Sequence, residues 1–276
     1  MNLLATPVSA VQTTRKITIL LLGLLLMLMP MELFPSSEEK PSQEYWSDIP
    51  YADLSSNQKL DISLPSGGKA PFPVIVSIHG GKFISGDKRS PCAPPIRGYA
   101  VVSINYRLLS EVDSLIPIVH DVKAAIRWIR ANAKTYYLDP NRIAIWGESS
   151  GGYLASMVGT TAGVKGMEDL SLGNPDQSSK VLAVVDWFGP TYAKEPLVSP
   201  ESYISSDDPP FYIQHGTKDG AIPVKESIDF SKKLQQVLGK DKVVLDLIKG
   251  GTHVGPEFFE MKNYNKILDF LDKYMK

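Results

Sequence analysis

The chain has one cysteine, Cys92, in 276 residues. No disulfide can form within it, which excludes the small disulfide-stapled class of secreted domain. A lone cysteine with no base evident beside it reads as a packed small residue rather than a nucleophile. The histidines are few and dispersed. His79, His120, His215 and His253 show neither the Cys/His spacing of a zinc site nor the i, i+4 pair of a metalloprotease helix, so no metal and no cofactor is expected. An excess of charge is also missing. With 29 basic and 30 acidic residues the formal net charge is −1, which provides no footprint for nucleic acid or an anionic membrane surface. No internal repeat is present, and no apolar run reaches the ~20 residues of a bilayer span.

What is present is an ordinary globular composition, 43% hydrophobic and 21% charged, in a chain long enough for one large α/β domain. The N-terminus differs from the rest. Arg15-Lys16 precede Ile17 to Met29 (ITILLLGLLLMLM), 13 uncharged residues with the length and basic flank of a secretory signal segment. No A-x-A-like cleavage site follows, so residues 1–30 read as a signal peptide or an uncleaved signal anchor, and residues 31–44, polar with Pro35 and Pro41, as a linker. A secreted or periplasmic protein is expected, or one anchored through residues 17–29. Any membrane contact would then run through this segment alone. The main folded domain is expected over 45–276.

Within that domain short apolar runs alternate with helical segments. Leu60 to Leu64 alternates in the manner of an edge strand. Val74 to Ile78, Ala100 to Asn105, Ile143 to Trp146, Val181 to Asp186, Phe211 to His215 and Val243 to Ile248 read as buried strands. Pro117 to Tyr136, the segment after Ser149, Pro223 to Leu238 and Glu257 to Met275 read as helices, with Gly239 as a C-terminal stop. Alternation of this kind implies a mostly parallel sheet with helices on both faces. Thr191 to Asp208 forms a short irregular excursion, a short lid.

Sheets of this kind hold their ligands at the carboxyl ends of the strands. His79, Ser149, Asp219 and His253 each follow a predicted strand. Ser149 sits in Gly147-Glu148-Ser149-Ser150-Gly151 between a strand and a helix, where a sharp turn can expose a serine as a nucleophile and glycines permit close approach of the helix. A serine hydroxyl needs a base within hydrogen-bond reach, and the base needs a carboxylate to fix its tautomer. His253, in a Gly-rich loop after the last strand, fits the base, and Asp219 the acid. Asp207 and Asp208 precede their strand and Asp246 lies inside one, so all three are wrongly placed. The developing oxyanion needs preorganised N–H donors. Those of Ser150, Gly81 and Lys82 are expected, the Lys82 side chain pointing away. Phe83 and Trp187 are expected to line the substrate pocket, although Trp187 and Phe188 read equally well as core. His120 reads as structural, and His215 as a scaffold residue near the Asp219 loop.

The segments VIVSIHGGKFISGDKR, DVKAAIRWIRANAKTYYLDPNRIAIWGESSGG, VVDWFGPT, PPFYIQHGTKDGAIPV and GGTHVGPEF together resemble the esterase/lipase branch of the α/β-hydrolases. The resemblance is nearest to bacterial carboxylesterases similar to acetyl-xylan and feruloyl esterases, and covers about Tyr45 to Lys276. It implies an α/β-hydrolase fold and a cofactor-free serine esterase. Its substrate would be a small-molecule or oligosaccharide-linked short acyl or aryl ester, with Ser149 as nucleophile, Asp219 as acid and His253 as base. The chain departs from the pattern at Lys82, where a small residue is common, at Ser150, where alanine is common, and in its short excursion, which argues against a lipase with interfacial activation. A prolyl-oligopeptidase-like peptidase and a non-catalytic hydrolase-like binding module are the alternative readings.

Overall fold

Among the described residues, eight strands form one sheet in the order β1-β2-β4-β3-β5-β6-β7-β8. They are β1 (Tyr45–Pro50), β2 (Lys59–Ser63), β3 (Phe72–Ile78), β4 (Ala100–Ile104), β5 (Leu138–Glu148), β6 (Val184–Trp187), β7 (Phe211–Gly216) and β8 (Val243–Ile248). β2 is antiparallel to both its neighbours, and every pairing from β4 through β8 is parallel. The α-helices among the described residues are α1 (Ile116–Asn132), α2 (Ser150–Thr160), α3 (Val224–Leu238) and α4 (Met261–Met275). The computed structural model describes residues 44–191 and 198–276, all within one structural unit, Ser37–Lys276. The N-terminal segment 1–30, the linker except Glu44, and residues 192–197 of the excursion lie outside the described residues.

The two-residue period of the strands divides the apolar residues between two cores. Val74, Val76 and Ile78 of β3, Ile143 and Ile145 of β5, and Phe211 and Ile213 of β7 pack with α1, α2 and Phe230 and Leu234 of α3. Ile75, Ala144, Trp146, Val185 and Tyr212 face the other way, onto Ile267, Leu268 and Leu271 of α4. Strands covered on both faces lose their polar alternation, which is why VIVSI and IAIW are continuous apolar runs. Each fully buried Ile, Leu or Val contributes roughly 1.5–3 kcal/mol. Pro117 opens α1, where its missing N–H costs nothing. Gly239, at φ 88°, stops α3 and closes its N–H on the Gln235 carbonyl.

The structure corrects the expected edge strand. β2 lies inside the sheet, and the edge is β1. The alternation that suggested an edge comes from Asp61, which is buried and paired with Lys88 Nζ at 2.7 Å while accepting the Asp48 N–H at 2.7 Å. β1 itself carries little apolar signal: four of its six residues are exposed, its register shifts between Trp46 and Ile49, and it ends at Pro50. A turn-forming stretch, Asp139-Pro140-Asn141, is taken up into β5. Its local bond survives there, Asn141 N–H donating to Asp139 Oδ1 at 2.8 Å. The closing helix begins later than expected, at Met261, after a 3-10 turn over Pro256–Phe259. No helix among the described residues is long and apolar enough to cross a membrane.

Candidate active site

Ser149 is the single residue between β5 and α2, with φ 53° and ψ −121°. A non-glycine residue in this region costs roughly 1–3 kcal/mol and persists only when its surroundings hold it. Here the Ser149 N–H donates to the Trp187 carbonyl at 2.8 Å, and its carbonyl accepts from Tyr153 N–H at 3.1 Å. The flanking glycines are needed for close approach. A Cβ on Gly147 would lie 2.0 Å from the Gly151 carbonyl oxygen, and one on Gly151 2.2 Å from that of Ile78. The strained backbone angle falls on the serine itself, not on the glycines.

The Ser149 hydroxyl meets His253 Nε2 at 3.0 Å, and His253 Nδ1 meets Asp219 Oδ2 at 2.7 Å. With Nδ1–H donating to the carboxylate, Nε2 is the acceptor for the serine proton. The Asp219 side chain is fully buried and that of His253 partly exposed. Burial would raise the Asp219 carboxyl. The N–H of Ile222, the His253 ring and the N–H of Ala221 outweigh it and hold the group below its ordinary value. Both amides donate to Oδ1, at 2.9 and 2.7 Å respectively. The loops that carry Asp219 and His253 are tied together: Lys218 N–H donates to the Gly251 carbonyl at 2.8 Å, and Gly250 N–H to Thr217 Oγ1 at 2.8 Å. A Cβ on Gly216 would lie 2.4 Å from the Gly251 carbonyl oxygen, so this clasp needs a glycine.

The loop after β3 abuts the serine: a Cβ on Gly80 would lie 3.1 Å from Ser149 Cβ. Gly81, Lys82 and Phe83 have φ 117°, 58° and 62°, a run of three left-handed residues. The Gly81 carbonyl accepts the N–H groups of Ile84 and Ser85, both at 3.1 Å. Among the described residues nothing accepts the N–H groups of Gly81 and Lys82. Ser150 opens α2, so its N–H is one of the first-turn donors without an intrahelical acceptor. His79 braces this loop. Its Nδ1 lies 2.7 Å from the Gly80 carbonyl, and its ring stacks on Tyr106 at 4.5 Å. The Tyr106 hydroxyl donates to the His79 carbonyl at 2.9 Å. Burial lowers the His79 ring below its ordinary value, so the neutral form that donates through one nitrogen is favoured.

Ser149, Asp219 and His253, distant in sequence, thus meet at one edge of the sheet, where Ser150 is the next residue in the chain and the loop bearing Gly81 and Lys82 passes the serine at Gly80. The Lys82 side chain is exposed. Phe83 is half-buried and packs edge-on to Tyr153 at 5.4 Å. Trp187, expected at the pocket, belongs to the core instead. It is fully buried among Trp146, Phe188, Phe258 and Tyr264, because the last residue of β6 has the parity of Val185 and faces α4. Its neighbour Phe188 is also buried, yet its ring meets the His253 imidazole at 4.7 Å. Cys92 is buried beneath the sheet between Ser77 and Trp146, its thiol pushed up to about 12 by burial. Asp208 binds back to Ser205, and Asp246 to Tyr212, Gln214 and Lys266. His120 meets the Gly166 carbonyl at 3.0 Å. Among the described residues no cluster of His, Cys, Asp and Glu could hold a metal ion.

The sheet order and the serine turn define an α/β-hydrolase. Residues 60–196 and 192–234 match the BD-FAE family, and the chain belongs to it. It is 29% identical over 238 residues to the probable carboxylic ester hydrolase LipM of Mycobacterium tuberculosis, an alignment covering 72% of this chain and 54% of LipM. A truncated carbohydrate esterase from gut microbiota is 30% identical with a TM-score of 0.76, over 86% of this chain and 99% of that one. A bifunctional GH43-CE protein of Bacteroides eggerthii is 33% identical with a TM-score of 0.77, over 87% of this chain and 36% of that one. The chain spans about half the length of the curated relatives it matches.

Proposed function

We propose that this protein hydrolyses carboxylic esters through an acyl-enzyme on Ser149. The observation that carries the reading is the continuous relay from the Ser149 hydroxyl through His253 to the buried Asp219 carboxylate, at 3.0 and 2.7 Å. Ser149 Oγ attacks the ester carbonyl carbon while its proton passes to His253 Nε2. Asp219 holds the ring in the tautomer that accepts it and stabilises the imidazolium. The carbonyl oxygen takes up the negative charge, and the N–H groups of Gly81, Lys82 and Ser150 receive it. On collapse the C–O bond breaks, and the alkoxide leaves with the proton held by His253. Water then attacks the acyl carbon, gives one proton to His253, and the acid departs as Ser149 recovers its hydrogen.

The substrate class we propose is short acyl or aryl esters, including acetyl or feruloyl groups on plant polysaccharide. Two structural relatives described as carbohydrate esterase or GH43-CE support it. Phe83, half-buried beside the oxyanion loop, is proposed to contact the acyl group. We also propose that residues 17–29 direct the chain out of the cytoplasm or anchor it there; the mass of the mature N-terminus checks this. The functional test is kinetic. The protein is expected to hydrolyse p-nitrophenyl acetate, with feruloyl and acetylated xylan substrates ranking the natural ester. Ser149→Ala is expected to lose at least ~10³-fold in kcat while remaining folded. A Ser149→Ala variant that retains the parent rate would sink the reading, as would cleavage of prolyl amides without cleavage of esters.

A further inference from the structure

His215 is the penultimate residue of β7 and fully buried. Both its ring nitrogens are engaged. Nδ1 meets Ser227 Oγ at 2.7 Å, and Nε2 lies 3.1 Å from the Ile222 carbonyl. Nε2 is also 3.1 Å from Asp219 Oδ2, the oxygen that receives His253. Two acceptors face Nε2, so that nitrogen carries a hydrogen. It is directed to the Ile222 carbonyl, and its positive end lies beside the carboxylate. With one hydrogen on the ring, Nδ1 accepts the Ser227 hydroxyl, and that bond selects the tautomer. The position of Ile222 is informative, because its own N–H donates to Asp219 Oδ1. One buried side chain therefore holds the far end of the Asp219–Ile222 turn and lies against the near end.

We propose that His215, anchored by Ser227 of α3, is a positioning residue for ester hydrolysis: it fixes the Asp219–Ile222 turn so that Oδ2 is presented to His253. The proposal rests on the Ser149–His253–Asp219 reading. His215 touches neither the serine nor any atom that reacts, and acts only through Asp219. A histidine serving as core filler would need shape alone. This one places a polar contact on the carboxylate oxygen that orients the base. Asp219 consequently has two amides on Oδ1 and two imidazoles at Oδ2. Without His215 the turn loses its buried anchor, and the carboxylate gains rotational freedom at the oxygen His253 depends on. The cost would appear in the chemical step, because substrate binding involves none of these atoms.

The test compares wild type with His215→Phe, which keeps a ring but no donor, and His215→Gln, whose amide N–H can reach the place of Nε2. Ser227→Ala is the third variant. kcat and KM on p-nitrophenyl acetate are measured per active site by fluorophosphonate titration, and the hydrogen-bonded His253 Nδ1–H is followed by proton NMR. His215→Phe is expected to lower kcat on the order of 10- to 100-fold with KM unchanged, and to shift or abolish the Nδ1–H signal. His215→Gln is expected to recover most of both. Equal kcat in the Phe and Gln variants, or an unmoved signal in His215→Phe, overturns the proposal. If His215→Phe does not fold, Ser227→Ala decides: a lower kcat with unchanged KM and a shifted signal supports the role, and wild-type values for both overturn it. A wild-type protein that hydrolyses no ester refutes the Ser149 reading instead.

Discussion

A strained serine has consequences that single substitutions can expose. Ser149 holds φ 53° because the chain must leave β5 and enter α2 with this one residue between them, and Gly147 and Gly151 make the crossing possible. Alanine at Gly147 brings a methyl 2.0 Å from a backbone oxygen that cannot swing away. It is expected to destabilise the fold by more than ~2 kcal/mol, which urea denaturation would measure. That Ser149, Asp219 and His253 would gather at one place was legible in the sequence because each follows an apolar strand, where a ligand belongs. Trp187 and Phe188 were not separable there. Both come at the end of the same apolar run, and only the observed parity of β6 sends Trp187, its last residue, to the α4 face while the Phe188 ring meets His253. Trp187→Ala is expected to cost about 3–5 kcal/mol of stability while leaving KM for p-nitrophenyl acetate unchanged; a raised KM at unaltered stability would return Trp187 to the pocket. His215 was legible only as scaffold, since its contact with Asp219 depends on how a four-residue loop turns back.

Two loops must arrive together for the relay to exist, and the ends of β7 and β8 ensure it. Gly216 and Gly251 approach so closely that a Cβ at Gly216 would lie 2.4 Å from the Gly251 carbonyl oxygen, and the Lys218 and Thr217 bonds close the clasp. Gly216→Val is therefore expected to reduce kcat more than it raises KM, since the base and acid loops separate while the loop after β3 is untouched. Steady-state kinetics would check it, and a variant with wild-type kcat would show that the clasp is dispensable. The element types followed from the apolar runs, whereas their edges did not. β1 is mostly exposed and bears a bulge, so no periodicity announces it. Asp61 gave β2 the look of an edge because a buried, Lys88-paired carboxylate reads as a polar position in any pattern. The order of strands is a property of crossovers, and the sequence order alone does not place β4 between β2 and β3.

Across the whole molecule, the ionisable groups predict how stability responds to acid. Asp87 is held at about 2, chiefly by its hydrogen bond to Arg89. Asp219, Asp246 and Asp272 are at least partly buried, which raises them, but their hydrogen-bond donors outweigh this and hold them below the ordinary carboxylate value of 3.8. Each such group contributes stability that is present above 3.8 and lost as pH falls through its folded value. His79, lowered by burial from 6.5, works in the same direction, its contribution being lost on acidification. Glu148, Asp186 and Asp208 are raised by burial and act in the opposite sense, their contribution being lost as pH rises through the folded values. Below the ordinary carboxylate range those three are protonated in both states, so only the depressed group still acts. The thermal midpoint is therefore expected to fall steeply between about pH 4 and pH 2. A flat midpoint over that range would mean the donors around these carboxylates do not hold them ionised.

The most direct test of the central claim is intact-protein mass spectrometry after exposure to a fluorophosphonate, with peptide mapping of the adduct. One adduct per chain is expected, located on Ser149, formed in step with loss of ester hydrolysis and absent from Ser149→Ala. An unmodified protein, or an adduct on another residue that leaves hydrolysis intact, would contradict it.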